Sequence, residues 1–136
     1  MIKKFDHVGM VIEKTEEVVS LFANLFGSKI SESLSFPEEG FRSTLVSREG
    51  VTLELLEPIG SEGIIQKFVQ KHGWGLHHIS IQVDDIDLEV RSLKARGVQM
   101  VSDEPRVVKG TSNKSAFIHP RSAQGILIEL IQRSQP

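Results

Sequence analysis

The chain contains no cysteine. Disulfides and thiolate chemistry are therefore excluded, and any metal site must use His, Asp, Glu, Gln or Asn. No apolar run approaches the roughly 20 residues that span a bilayer. The start, MIKKFDHVGM, lacks the long apolar stretch of a secretory leader. Neither sign of charge dominates: 16 Lys and Arg stand against 18 Asp and Glu, for a net charge of −2. The cations are scattered rather than striped, so a nucleic-acid surface is not indicated. Heptad runs and low-complexity tracts are missing as well. What remains is an ordinary globular composition, 39% hydrophobic and 25% charged over 136 residues. One domain spanning 1–136, or two small halves sharing a core, is expected. No membrane or nucleic-acid partner is expected, and the cytoplasm is the expected compartment.

The chain writes one phrase twice. Gly50–Leu56 reads GVTLELL and Gly125–Ile131 reads GILIELI, each with a glutamate inside an apolar strand pattern. The openings repeat too: FDHVGMVI in the first half and LHHISIQV in the second. Self-similarity of this kind governs the whole fold prediction. Each opening strand is followed by a helix pattern. In the first half Thr15 is placed to cap, Val18, Leu21, Phe22 and Leu25 form an apolar stripe, and Gly27 stops the helix. In the second half Asp84 or Asp85 caps, Ile86, Val90 and Leu93 form the stripe, and Gly97 ends it. Shorter strands follow, at roughly 28–34, 41–47 and 51–57, then at roughly 98–102, 114–119 and 126–132. The segments 31–40 and 107–114 read as loops. Each half is thus βαβββ: an N-terminal module of about 4–58, a linker of about 59–75 with a short helix around Ile64, Ile65 and Phe68, and a C-terminal module of about 76–132. The class is α+β. One such module cannot cover both faces of its sheet, so two packed side by side would give a curved mixed sheet around a cleft.

Four side chains repeat with the modules. Glu54 follows His7 by 47 positions and Glu129 follows His78 by 51. Alternation along a strand puts His7 on one face with Gly9, and His78 with Ser80, which leaves room beside each imidazole. A carboxylate among apolar neighbours is costly to bury unless it is paired or metal-bound. Two imidazoles and two carboxylates suit a divalent first-row ion with water completing the shell, and open positions are what a Lewis-acid catalyst needs. The set is not the cysteine-rich tetrahedron of a structural zinc. Alone, a strand histidine is more often structural than a ligand, and a strand glutamate usually meets solvent. Recurrence at equivalent places sets a metal site level with preserved structural duplicates, and both readings stand at this point. His72, His77 and His119 have no repeat partner and read as surface, turn or core residues. Trp74, between glycines, reads as a packing anchor.

Taken together, DHVGMVI at 6–12, ELLEP at 54–58, GWGLHHISIQVDDI at 73–86 and AFIHPRSAQGILIEL at 116–130 resemble the vicinal-oxygen-chelate (glyoxalase/bleomycin-resistance/dioxygenase) superfamily. The similarity is strongest to its methylmalonyl-CoA epimerases. The resemblance implies paired βαβββ modules with a central metal cleft, and usually a homodimer. It implies His7, Glu54, His78 and Glu129 as ligands of a divalent ion, with cobalt first and nickel, manganese or zinc as alternatives. It implies an acyl-CoA substrate and metal-assisted interconversion of its two epimers through an enolate. Glu129 would be one base. Some epimerases of the family place a second base three residues past a glycine, where Gly40 here leads to Ser43. The other face is therefore left to Glu54, to Glu38 or Glu39, or to water. Arg42, Lys114 and Arg121 are placed to meet the CoA tail, though an ordinary solvated surface charge is the stronger reading of each. The rival readings are a lactoylglutathione-lyase-like enzyme, a ring-cleaving dioxygenase, against which the extra Glu54 argues, and a metal-free binding protein of the same fold.

Overall fold

The computed structural model describes residues 2–134. The chain divides into two compact units, His7–His77 and a second made of Met1–Asp6 with His78–Pro136. The class is α+β, with parallel and antiparallel strand pairs and three α-helices among the described residues.

In the unit His7–His77, β1 (Ile2–Val11) contributes its second half. It runs parallel to β5 (Val51–Pro58), with Gly9 opposite Glu54. The antiparallel neighbour of β5 is β4 (Phe41–Arg48), joined to it by Glu49 and Gly50. Both turn residues have positive φ, 51° and 81°. That is the backbone which a two-residue hairpin needs to match the twist of its strands. On the far side of β4 lie β2 (Lys29–Ile30) and β3 (Leu34–Phe36). α1 (Thr15–Phe26) follows β1, and α2 (Ile64–His72) follows β5. Val11, Leu56 and Ile65 form the core, with Phe41, Phe68 and Val69 packed against it. The buried Gln66 donates to the carbonyls of Gly40 and Ile59, each at 2.9 Å, and so ties α2 to the end of the β4–β5 pair opposite its hairpin.

In the other unit β6 (Gly75–Val83) runs parallel to β9 (Ile128–Gln132), with Ser80 opposite Glu129. The strand β8 (Lys114–Ile118) pairs antiparallel with β9, and β7 (Arg106–Val107) with β8. α3 (Ile86–Ala95) lays Ile86 and Val90 on Val83, Ala116 and Leu130, with Leu93 partly buried beside them. The predicted stripe of α3 and its cap therefore hold: Asp85 Oδ1 accepts from the Leu88 N–H at 3.1 Å.

The repeat extends to how each helix is fastened. The residue three past each repeat glutamate receives the first N–H of the helix. Glu57 Oε1 accepts from Thr15 at 2.9 Å, and Gln132 Oε1 accepts from Ile86 at 2.8 Å. The cross-strand partners of these two acceptors are Arg42 and Lys114. Arg42 binds Glu16 at 2.8 Å, and Lys114 binds Asp87 at 3.1 Å, each on the second residue of its helix. Arg42 also reaches Glu57 at 2.9 Å.

Several expectations are corrected. Thr15 does not cap α1; it is the first helical residue, and Lys14 precedes it without a side-chain cap. The cap comes instead from Glu57, distant in sequence. The stripe of α1 is not a buried face: Leu21 is 48% exposed and Leu25 68%. The strand expected at 28–34 breaks after Ile30, because the Ser31 hydroxyl takes the Leu45 N–H that a ladder carbonyl would otherwise accept. The segment 31–40 read as a loop carries β3, where Phe36 stacks on Phe41 with centroids 5.0 Å apart. The strand expected at 98–102 shrinks to a single bridge, Met100 to Ile118, since the Gln99 N–H is taken by the Ser122 hydroxyl. The segment 107–114 begins in β7. Trp74 is half exposed and anchors no core.

Asp6 and Arg133 close the second unit. The guanidinium of Arg133 grips both oxygens of Asp6, with Nε to Oδ1 at 2.7 Å, and the Asp6 side chain is only 6% exposed. A fork of this kind fixes geometry as well as charge. Breaking a buried pair costs about 3–5 kcal/mol, but Arg133 is partly in water, so Arg133→Ala should cost about 2 kcal/mol in urea unfolding. At α1, the hydrogen bond from Arg42 holds the Glu16 carboxyl below its ordinary value of 4.5. A lowered folded value means stability that is present above pH 4.5 and lost as pH falls through the folded value. The stability gap between the native protein and Glu16→Gln should therefore be open at neutral pH and close in acid, as read by urea unfolding along a pH series.

Candidate functional site

Each unit holds one imidazole–carboxylate pair, and the same local geometry builds both. In the unit His7–His77, residue Gly9 sits opposite Glu54, and His7 lies two residues earlier on the same face of β1. Gly9 has no side chain, so the Glu54 carboxylate lies against the ring: His7 Nε2 is 3.3 Å from Glu54 Oε1. The other oxygen, Oε2, accepts the Ser43 hydroxyl at 2.8 Å. In the second unit Ser80 sits opposite Glu129, and His78 lies two residues earlier. His78 Nε2 is 4.0 Å from Glu129 Oε1, and the Ser80 hydroxyl donates to that same oxygen at 2.7 Å. Phe117, opposite Glu129 on β8, turns its ring edge-on to the His78 imidazole, with centroids 6.1 Å apart. His7, His78, Ser80 and Glu129 are buried, and Glu54 is partly so.

These pairs fit the chemistry of a metal ligand set. Two donors that each stand about 2.1 Å from one ion lie about 3–4 Å apart from each other. The separations of 3.3 and 4.0 Å fall in that window. An imidazole nitrogen and a carboxylate oxygen, withdrawn wholly or partly from water, suit a borderline divalent cation better than they suit apolar packing. Each carboxylate is further held by a hydroxyl, the kind of outer contact that orients metal ligands.

The sequence singled out the two histidines and two glutamates and missed what holds them. Ser80 read only as a small neighbour of His78, and Ser43 only as the place where a family base is missing. Both donate to a glutamate of the set. Glu57 and Gln132 carried a readable signal, because both lie three residues past a repeat glutamate. Arg42 and Lys114, expected near a CoA tail, are instead engaged with Glu16 and Asp87 at the helix starts. Arg121 is exposed, on a short 3-10 turn whose backbone N–H at Arg121 is received by His119 Nδ1 at 3.0 Å. His72 and His77 pack on Phe68, with centroids 4.8 and 4.6 Å away. The three unrepeated histidines are thus placed against a ring or in a turn.

The glyoxalase/bleomycin resistance protein/dioxygenase superfamily model matches residues 6–117. A mitochondrial methylmalonyl-CoA epimerase of Dictyostelium discoideum is 34% identical over 97% of this chain and 80% of its own. A hypothetical protein of Bacillus halodurans superposes with a TM-score of 0.91 at 34% identity, covering 98% of this chain and 96% of its own. A variant methylmalonyl-CoA epimerase of Streptomyces coelicolor, in complex with 2-nitronate-propionyl-CoA, superposes with a TM-score of 0.88 at 25% identity over the whole of both chains. The duplicated His–Glu strands and these matches lead to one statement: the chain belongs to the glyoxalase/bleomycin resistance protein/dioxygenase superfamily, among the relatives of the methylmalonyl-CoA epimerases.

Proposed function

We propose that the protein is a methylmalonyl-CoA epimerase, an isomerase that interconverts the (R) and (S) forms of methylmalonyl-CoA through an enolate. The observation that carries this reading is the repeated pair of a buried imidazole and a buried or partly buried carboxylate, set on equivalent strands in both units. Likeness to epimerases over nearly the full chain supports the substrate class, an acyl-CoA thioester.

His7, Glu54, His78 and Glu129 would hold one divalent ion, with cobalt the first choice. Such an ion supplies Lewis acidity toward a thioester oxygen and stabilises developing enolate charge. The chain's own residues do the rest. Glu129 receives the proton that leaves carbon 2, and an acid returns a proton on the opposite face. Glu54 is the residue proposed for that second role, its carboxylate steadied by the Ser43 hydroxyl. Ser43 itself is a hydroxyl where some relatives of the family carry a carboxylate, so it orients rather than titrates. Phe117 lies nearly perpendicular to the His78 ring beside this pair.

The CoA tail needs cationic contact, and Arg121 is the residue proposed for it. A homodimer is the proposed assembly, supported by Leu21, Leu25 and Phe26, which α1 leaves exposed. The cytoplasm is the proposed compartment; the Dictyostelium relative, by its name, is mitochondrial.

Cobalt-loaded protein incubated with methylmalonyl-CoA in D₂O should lose the carbon-2 proton signal in NMR while the two epimers interconvert. Glu129→Gln should abolish that exchange and leave the circular dichroism spectrum unchanged. Exchange at the native rate in this variant would remove Glu129 as base. Arg121→Ala should raise KM for the CoA ester several-fold with kcat near the native value, and an unchanged KM would take Arg121 out of the substrate site.

A further inference from the structure

The Ser80 hydroxyl is wholly buried, at 0% exposure, in the middle of β6. It donates to Glu129 Oε1 at 2.7 Å, the short end of the range for a hydroxyl bound to a carboxylate. The parallel register puts Ser80 directly opposite Glu129, so the bond runs straight across the ladder with no chain between to bend. Steric need does not explain a hydroxyl here. The equivalent position in the first unit is Gly9, opposite Glu54, and there the strand pair forms with no side chain at all. Glu54 instead takes its hydroxyl from the other side, from Ser43 on β4, and on the other oxygen: Oε2, while Oε1 faces His7. In the second unit the hydroxyl and the imidazole address the same oxygen, Oε1.

We propose that Ser80 is a positioning residue for the site: its buried hydroxyl selects the Glu129 rotamer in which Oε1 faces His78, and so presets the carboxylate for metal and substrate. The inference rests on the ligand set proposed above. The physical basis is the stiffness gained by a carboxylate that would otherwise turn about its terminal, broadly two-fold torsion. One charge-assisted bond from a strand position that does not itself move holds that torsion. The cost of ordering the carboxylate is then met on folding rather than on binding. The two glutamates also become unlike. Glu54 is held through the oxygen turned away from its histidine, and Glu129 through the oxygen turned toward it. That difference gives the two carboxylates of a duplicated site separate tasks.

The test compares the native protein with Ser80→Ala, both metal-free and both loaded with cobalt. Thermal unfolding of the metal-free proteins first checks that the variant folds. In high-resolution crystals of the metal-free forms, Glu129 should occupy one rotamer in the native protein and spread over more than one in Ser80→Ala. Cobalt affinity, measured by chelator competition, should fall about 10–100-fold in the variant, the range seen when outer partners of metal ligands are removed. Ser43→Ala should lower affinity without disturbing the Glu129 rotamer. A single unchanged Glu129 rotamer with native cobalt affinity in Ser80→Ala would overturn the inference and leave the epimerase reading intact. If the native protein takes up no cobalt, the ligand set falls, and the rotamer comparison still decides what Ser80 does. If Ser80→Ala does not fold, Ser80→Cys, which keeps the size and weakens the donor, should show the same loss of affinity in part; native affinity there would also overturn it.

Discussion

A carboxylate set inside an apolar strand must be answered by something, or the strand does not fold. Leaving such a group buried and ionised without partners costs far more than one domain's net stability can absorb. Here the answer is built twice: an imidazole two residues off the register on the next parallel strand, and a serine hydroxyl. Much of the rest of each unit follows from that requirement. The strands must be parallel, so that the histidine and the glutamate share a face at a fixed offset. Parallel strands need a long crossover between them, which the helices α1 and α3 begin. The position between histidine and glutamate must be small, and it is Gly9 in one unit and Ser80 in the other. The chemistry assigned to the site uses groups that the fold has already been obliged to bring together.

The same economy governs the helix starts. A side chain three residues past the glutamate points to the opposite face of the strand from it, as alternation requires. From there Glu57 and Gln132 receive the first N–H of α1 and α3. One short stretch of strand thus offers a carboxylate to the histidine on one side and a helix cap to the other. Arg42 and Lys114, each opposite a capping residue, hold the second helical residue. The motif ELLEP is compact because both faces of the strand are in use.

What the sequence revealed and what it hid divide along a physical line. Repeats and period are intrinsic to the order of residues, so the βαβββ plan, the two His–Glu pairs and the α3 stripe were readable. Interactions between residues far apart in the chain were not. Thr15 looked like a cap by composition, but the cap that forms is a carboxylate from Glu57. Arg42 and Lys114 looked like free cations because their partners lie on other elements. Serine deceived in both directions. Ser31 and Ser122 interrupt strands that hydrophobic pattern alone extends, by taking backbone N–H groups for themselves. Ser43 and Ser80 looked like a gap and a spacer, and both bind a glutamate. The α1 stripe failed for another reason: helical spacing reports an apolar face and is silent on what, if anything, covers it.

The two helix caps have diverged in one atom. Glu57 is a carboxylate, bound also by Arg42, whereas Gln132 is an amide. A carboxylate acceptor can also join an ion pair, which an amide acceptor cannot. At the start of α1 the capping acceptor is therefore also a member of an ion pair, whereas at α3 the amide acceptor stands apart from the ion pair between Lys114 and Asp87. In the first unit one carboxylate thus serves a helix cap and an ion pair together, and in the second those two tasks fall to different side chains.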